Sequence, residues 1–320
     1  MRIEFDLVCT SEHRFQPMGG APVSGRHIDL GFKGSVWHNR LDVAFRSHPA
    51  LANCRHRFIG DPTPVWVESP LDATDAQEPP FFEANPYPPR HAFQIALVLA
   101  GPLARESEQL LEPITRVVVD TGLHPEACRH GFFGGYALAT LPRVRPWSAA
   151  PAQPFTVLEG HSVVLTLNFD TMMRVETRAQ LREHLQGRTP IPRLRRIAES
   201  VLERAAALQV LPMAEIERLH RACVLAATID TAPILRHNLH YHDVWRQSPG
   251  RGELQPIGGV IGAISYLLDS TAWTALQPVL RLGQWLRAGA KINLGLGRFR
   301  VRVEPAPRGE STNLPNLPSS

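Results

Sequence analysis

The chain has 320 residues, of which 43% are apolar and 20% are charged, and its net charge is +4. This length predicts about two domains, and the apolar fraction excludes a chain that is disordered throughout. The basic balance, with a pI of 9.1, favours a polyanionic partner. Of the 34 Lys and Arg residues, only Lys33 and Lys291 are lysines, and both lie among glycines.

The cysteines and the chain start bear on the cellular setting. Cys9, Cys54, Cys128 and Cys223 form no CxxC pair, so a zinc knuckle or ribbon is not expected. The charged first residues lack the apolar run of a signal peptide, and no apolar stretch reaches the about 18 residues of a membrane span. We therefore expect a cytoplasmic protein with free thiols and no membrane partner.

Hydrophobic spacing predicts six elements in the first half of the chain. Ile3, Phe5 and Leu7 alternate with polar residues, which is typical of a half-buried strand. In chain order the elements are strand 2–9, a helix capped by Ser35, strands 64–69 and 93–99, helix 104–120 and a glycine-rich, then strand-like segment 131–145. This order is that of a ferredoxin-like βαββαβ domain.

A Pro- and Ala-rich stretch at 146–156 predicts a linker to a second α+β unit. The elements predicted there are strand 162–169, helices 192–209 and 213–229, strand 257–266, helix 270–288 and strand 298–303. We therefore predict an N-terminal domain at 1–147, a C-terminal domain at 156–305 and a flexible tail at 306–320.

The glycine-rich run Gly289–Arg298 (GAKINLGLGR) is the strongest functional feature. Its glycines would let backbone N–H groups approach an anion closely, and Lys291 and Arg298 add positive charge there. The loop runs from a helix into a strand, which excludes a dinucleotide fingerprint, and it lacks the Gly-Lys-Ser/Thr of a P-loop. The alternative is a tight helix-to-strand turn without a ligand.

Three arginines follow this loop at alternating positions, Arg298, Arg300 and Arg302. In a strand they share one face at a spacing of about 6.6 Å, similar to successive phosphates of a nucleic acid. The alternative is the solvated face of an edge strand. Loop and arginines together favour RNA or DNA binding.

Two histidines near the first predicted helix are candidates for proton transfer, because histidine titrates near neutral pH. His38 lies beside the apolar stripe of that helix, where Asp42 could orient its ring, and His56 lies in a basic loop after it. A surface or core role is the alternative for either.

The segment His237–His242 (HNLHYH) superficially resembles a metal cluster. It lacks an HExxH signature, and a polar loop or an RNA-contacting segment is the favoured interpretation. No GxSxG elbow of a serine hydrolase is present.

Further segments carry recognisable motifs: Pro256–Tyr266, Leu280–Val301, Gly31–Ser35, Phe82–Phe93 with Ile95–Gly101, Leu167–Thr171 with Arg174, and Trp245–Ser248. Taken in chain order, they resemble the CRISPR repeat-RNA processing endoribonuclease, the sixth Cas protein of the RAMP superfamily. The C-terminal glycine-rich pattern of that family is the most specific of these motifs.

This resemblance implies two tandem ferredoxin-like, RRM-like domains that bind CRISPR repeat RNA and cut it once at the base of its hairpin. It implies attack by a ribose 2′-hydroxyl, a 2′,3′-cyclic phosphate and a 5′-hydroxyl, with no metal and no cofactor. Other Cas proteins of an effector complex are expected partners. A non-catalytic subunit that binds the crRNA 3′ hairpin, a metal-dependent nuclease and a purely structural RAMP subunit stay open as alternatives.

The resemblance also suggests site residues. His38 or His56 would transfer protons and Lys33 would stabilise phosphorane charge, although Val36–Asn39 replaces the family's usual Leu-Arg-Gly. The predicted RNA contacts are Lys291, Asn293, Gly295, Gly297, Arg298, Arg300 and Arg302.

Overall fold

The structure is a computed structural model that describes part of the chain. The described residues are 1–9, 14–15, 27–28, 49–53, 58, 64–68, 92–120, 132–133, 136–145, 161–242, 244–247, 254–292 and 295–307. The helix predicted after Ser35 and most of the predicted tail lie outside these residues. Within them, no helix is long and apolar enough to cross a membrane.

The first half of the chain forms mostly strands. The strands are β1 (Arg2–Cys9), β2 (Arg14–Phe15), β3 (His27–Ile28), β4 (Val65–Glu68), β5 (Ala92–Leu99), β6 (Phe132–Phe133), β7 (Tyr136–Leu138) and β8 (Arg143–Arg145). The helices are α1 (Pro102–Arg105) and α2 (Ser107–Asp120), with a 3-10 turn at Pro49–Leu51.

The second half is more helical. Its strands are β9 (Val163–Met173), β10 (Ile234–His237), β11 (His240–His242), β12 (Val244–Gln247), β13 (Leu254–Pro256), β14 (Gly259–Leu268) and β15 (Phe299–Pro305). Its helices are α3 (Thr177–Leu185), α4 (Leu194–Ala207), α5 (Met213–Leu225) and α6 (Ser270–Leu286), with a 3-10 turn at Ala227–Ile229.

Two antiparallel sheets organise these elements. The first has the order β4-β5-β1-β7, with β8 also paired to β1, and the second has the order β10-β14-β9-β15, with β11 paired to β14. If the four path strands of each sheet are numbered along the chain, both sheets read 2-3-1-4. The predicted fold class, α+β with two tandem ferredoxin-like domains, is thus confirmed.

Each sheet buries one face under helices. In the first, Phe5 and Leu97 form one core with Ile114 and Val117 of α2. In the second, alternate residues of β9 such as Leu167 pack with α4 and α6 in a larger core. The period-2 burial of β9 follows directly from its apolar-polar alternation.

The two halves are also joined outside these cores. Trp66 and Val98, on the face of the first sheet opposite α2, belong to the apolar cluster that contains α4. The Arg204 guanidinium lies 4.8 Å from the centroid of the Trp66 ring, a cation–π contact. Gly101 has a φ of +59°, and a Cβ atom there would lie 2.2 Å from the carbonyl oxygen of Leu208.

A small sheet connects more distant parts of the sequence. Strand β12 forms a hairpin with β13 and pairs in parallel with β3, so that Val244 lies opposite His27 and Trp245 opposite Ile28. Strands β2 and β6 form a separate two-stranded ladder.

Several regions differ from the sequence predictions. The helix predicted at 104–120 is interrupted at Glu106, which divides it into α1 and α2. The predicted helix 213–229 ends at Leu225 and continues as a 3-10 turn, because Ala226 leaves the helical region with a ψ of 73°. Helix α3 and the β10–β11 segment were not predicted. Nearly all of their residues are exposed or only partly buried, so they lack the apolar periodicity on which such predictions depend.

Asp269 caps α6, and its loss is expected to weaken the fold. Its Oδ1 accepts a hydrogen bond from Ala272 N at 2.8 Å, and hydrogen bonds from Ala272 and then Thr228 hold the pKa of this carboxyl below 3.8. Asp269→Ala should lower the free energy of unfolding by about 1 kcal/mol at pH 7. Because the pKa is lowered in the folded protein, the ionised cap stabilises the fold at pH values above the unfolded pKa of this carboxyl. This gain is lost as the pH falls from there through the folded pKa.

Urea unfolding of wild type and Asp269→Ala, at pH 7 and at stepwise lower pH, measures the difference in their free energies of unfolding. The difference should shrink below pH 3.8, whereas Asp269→Asn should keep the cap without that pH dependence. Equal stability of Asp269→Ala and wild type at pH 7 would contradict the capping role.

Candidate nucleic-acid interface

The glycine-rich loop joins α6 to β15 and packs against the end of β9. Five of its N–H groups donate hydrogen bonds within the protein. Gly289 donates to Ser200 Oγ (2.7 Å) and Ala290 to the Arg174 carbonyl (3.1 Å). Gly295 donates to the Ile292 carbonyl (2.8 Å), Gly297 to the Met172 carbonyl (3.0 Å) and Arg298 to Thr171 Oγ1 (2.9 Å). These amides stabilise the loop itself. They are therefore not the anion cradle that the glycine pattern suggested.

The side chains of the loop differ in their exposure. Lys291 is exposed and has a φ of +60°, whereas Gly295 and Gly297 are buried. Arg298 is partly exposed, and its Nε lies 3.7 Å from an oxygen of Asp170. Asn293 lies outside the described residues. Ligand contact from the described part of this loop would thus come from the Lys291 and Arg298 side chains.

The open face of the second sheet, opposite its helices, carries the other predicted arginines. Arg300 and Arg302 are exposed, whereas Val301 and Val303 between them pack towards the core. Arg300 Nη2 lies 2.8 Å from Asp170 Oδ1, and Arg302 Nη2 lies 2.5 Å from Glu304 Oε1. Since surface ion pairs contribute little, both guanidiniums are available to a stronger anionic partner.

A pocket of about 220 Å³ lies beside the loop. It is lined by Arg174, Val175, Thr177, Arg196, Ser200, Glu203, Gly289 and Ala290. Burial lowers the pKa of Arg174, and Arg196 forms an ion pair with Glu199. Because Glu203 brings a carboxylate into the same pocket, the charge there is mixed, and the open sheet face suits a polyanion better.

The histidine segment is split between two strands. His237 ends β10, whereas His240 and His242 lie on β11. Burial, and then the charge of His240, lower the pKa of His242. Next to it, Tyr241 stacks on His184 of α3 with ring centroids 4.4 Å apart. Among the residues that the structure describes, no group of three or more His, Cys, Asp or Glu could hold a metal ion.

The predicted catalytic residues His38, His56 and Lys33 lie outside the described residues, so the structure does not place them relative to the loop. Asp170, which contacts two of the predicted arginines, was missed as a site residue. Its signal was the polar alternation that continues from Thr166 through Asn168 along β9.

A comparison of the sequence with protein-family models finds a match that includes the glycine-rich loop. Residues 167–299 match the family model described as CRISPR-associated endoribonuclease Cas6. This segment is similar to the Cas6 family. The match begins within β9, includes the glycine-rich loop and ends at the first residue of β15, and it confirms the resemblance to the sixth Cas protein. No curated protein matches the chain.

Comparison with solved structures finds Cas6 proteins of similar fold. A Cas6 product complex is 18% identical with a TM-score of 0.51, covering 94% of this chain and 99% of that chain. Thermus thermophilus Cas6 is 15% identical with a TM-score of 0.45 at the same coverage. A partial Cas6-RT-Cas1–Cas2 complex is 10% identical with a TM-score of 0.49, covering 98% of this chain and 47% of that chain. The first of these supports the two-domain fold over nearly the whole chain.

Proposed function

We propose that this protein is a metal-independent endoribonuclease that binds CRISPR repeat RNA and cuts pre-crRNA at the base of the repeat hairpin. The single observation that carries this proposal is the Cas6 family match, which runs from within β9 through the glycine-rich loop to the first residue of β15. The product would be mature crRNA with a 2′,3′-cyclic phosphate on one side of the cut and a 5′-hydroxyl on the other.

The reaction requires two proton transfers and one cation. A base removes the proton of the ribose 2′-hydroxyl, its oxygen bonds to the adjacent phosphorus, and the bond from phosphorus to the 5′-oxygen breaks. An acid protonates the departing 5′-oxygen. We assign proton transfer to His38 or His56 and stabilisation of the phosphorane charge to Lys33.

RNA contacts are assigned to the loop and the strand after it. Lys291, Arg298, Arg300 and Arg302 would contact phosphates, since all four are cationic and at least partly exposed. Asn293 stays a proposed contact. The buried glycines Gly295 and Gly297 would contribute by giving the loop its shape.

Other Cas proteins are proposed partners. This part of the proposal is supported by the family match, since Cas6 proteins belong to CRISPR systems, and by no contact in the structure. The domains at 1–147 and 156–305 are proposed as the two RNA-contacting units.

The proposal is tested by mixing the full-length protein with its cognate CRISPR repeat RNA in EDTA. We expect one cut with a cyclic phosphate end. A 2′-deoxy nucleotide at the scissile position should abolish that cut while binding persists, because only the attacking hydroxyl has been removed.

Each other outcome selects another function. Tight binding without a cut would identify a non-catalytic subunit that binds the crRNA 3′ hairpin. Cleavage that is lost in EDTA would identify a metal-dependent nuclease. RNA binding that is weak and insensitive to salt would indicate a structural subunit, because phosphate contacts make affinity fall steeply with salt.

A further inference from the structure

Arg236 of β10 lies on the open face of the second sheet, at the edge opposite β15. The strand register places Arg236 opposite Ser265, Ser265 opposite Thr166, and Thr166 opposite Arg302. These four residues form one row across the sheet, with an arginine at each end. Neither the sequence motifs nor the family resemblance singled out Arg236.

The row is connected by hydrogen bonds. Arg236 Nε donates to Ser265 Oγ at 3.4 Å, and Ser265 Oγ lies 2.9 Å from Thr166 Oγ1. Ser265 is buried, so its hydroxyl makes these hydrogen bonds inside the protein. The side chain of Arg236 is exposed.

The charge of Arg236 is less compensated than that of its neighbours. Arg300 and Arg302 are paired with Asp170 and Glu304, whereas the described carboxylates include none that forms an ion pair with Arg236. Among the described residues of this face, four arginines, counting Arg298, therefore outnumber the two carboxylates Asp170 and Glu304, which leaves the described part positive.

The spacing suits an extended ligand. Neighbouring strands lie about 4.8 Å apart, so three strand-to-strand steps separate the backbones of Arg236 and Arg302 by about 14 Å. Arg300 and Arg302 are about 7 Å apart along β15. Such a span corresponds to a few nucleotides of a polynucleotide backbone.

On the described parts of β9, β14 and β15, this face lacks the large aromatic rings on which RNA bases usually stack. The open-face positions of β9, β14 and β15 contain no Phe, Tyr or Trp. Single-stranded RNA is usually held on aromatic side chains when its bases are contacted. Guanidiniums without rings favour phosphates, which carry no sequence information.

We infer that this open face binds the RNA phosphate backbone independently of sequence, and that Arg236 extends the contact surface from β15 across the sheet to β10. The inference rests on the proposed function, because the RNA concerned is the repeat RNA and its flanking strand.

The test measures the dissociation constants of repeat RNA and of an unrelated single-stranded RNA at several salt concentrations. The variants are Arg236→Gln, Arg236→Lys and the control Arg218→Gln. Arg218 is an exposed, ion-paired arginine on α5, in the helical layer on the other side of the sheet. Melting temperatures check that all variants fold.

Arg236→Gln should bind both RNAs about three- to tenfold more weakly, and its log–log salt slope should fall by about one. Arg236→Lys should restore the slope, and Arg218→Gln should behave as wild type. Loss confined to repeat RNA would overturn the inference, because it would show base-specific contact.

The remaining outcomes separate this inference from the proposed function. If wild type binds RNA and Arg236→Gln binds it equally well with the same slope, the inference is wrong while the proposed function stands. An open face that binds an acidic protein would also give this result. If wild type binds neither RNA, the proposed function fails, and the inference fails with it.

Discussion

Gly297→Ala is expected to destabilise the protein severely. Gly297 has a φ of +75°, and a Cβ atom there would lie 1.9 Å from the carbonyl oxygen of Ala288. Both backbone groups of Gly297 are also used, since its N–H donates to Met172 and its carbonyl accepts from Ala288. The left-handed conformation alone costs about 1–2 kcal/mol, and forcing atoms into a packed site adds about 1–3 kcal/mol or more.

Gly187→Ala is the matched control. Gly187 has a similar φ of +72°, but no atom lies within 4 Å of the position of its added Cβ, so this variant isolates the conformational cost. Denaturant unfolding of both variants and wild type gives the difference. Two variants of equal stability would show that the overlap at Ala288 relaxes and that the loop is more tolerant than its geometry indicates.

One of the variants His38→Ala and His56→Ala is expected to cut repeat RNA about 10²–10⁴-fold more slowly than wild type. The loss should appear in the cleavage rate and not in RNA affinity, because a proton-transfer group acts on the 2′-hydroxyl or the leaving oxygen. Single-turnover cleavage with enzyme in excess, together with a binding assay, separates these two quantities.

His220→Ala is the control for that experiment, since His220 is an exposed histidine of α5, far in sequence from both candidates. Its cleavage rate should equal that of wild type. Wild-type rates in both His38→Ala and His56→Ala would move the assignment of proton transfer to other residues. Lys33→Ala should slow cleavage even though both His38 and His56 are present, because the cation assigned to the phosphorane charge is lost.

Strand and helix positions in the second domain could be predicted from sequence because their burial is periodic. The strand predicted at 162–169 is β9 (Val163–Met173), and the helix predicted at 270–288 is α6 (Ser270–Leu286). The prediction that Arg300 and Arg302 share an exposed face also followed from the period of a strand.

What the glycine-rich loop does with its amides could not be predicted. Their acceptors include Met172 and Arg174 at the end of β9, more than a hundred residues earlier in the chain. A local pattern of glycines is compatible with an anion site and with close packing alike. Only the tertiary position of β9 decides between them.

The predicted set of charged residues on the open sheet face was incomplete for a similar reason. Asp170 and Arg236 join Arg300 and Arg302 through strand pairing, which local sequence does not specify. The contact between Trp66 and Arg204 likewise depends on how the two halves pack.

The contact between Trp66 and Arg204 joins α4 to the first sheet as well as to the second. Arg204 of α4 contacts Trp66 of the first sheet. Burial, and then the positive charge of Arg287 just before the glycine-rich loop, lower the pKa of Arg204 to about 10. One helix therefore borders both the core of the second sheet and the outer face of the first. Damage at this contact is therefore expected to reach both sheets, which ties the stability of one half of the fold to that of the other.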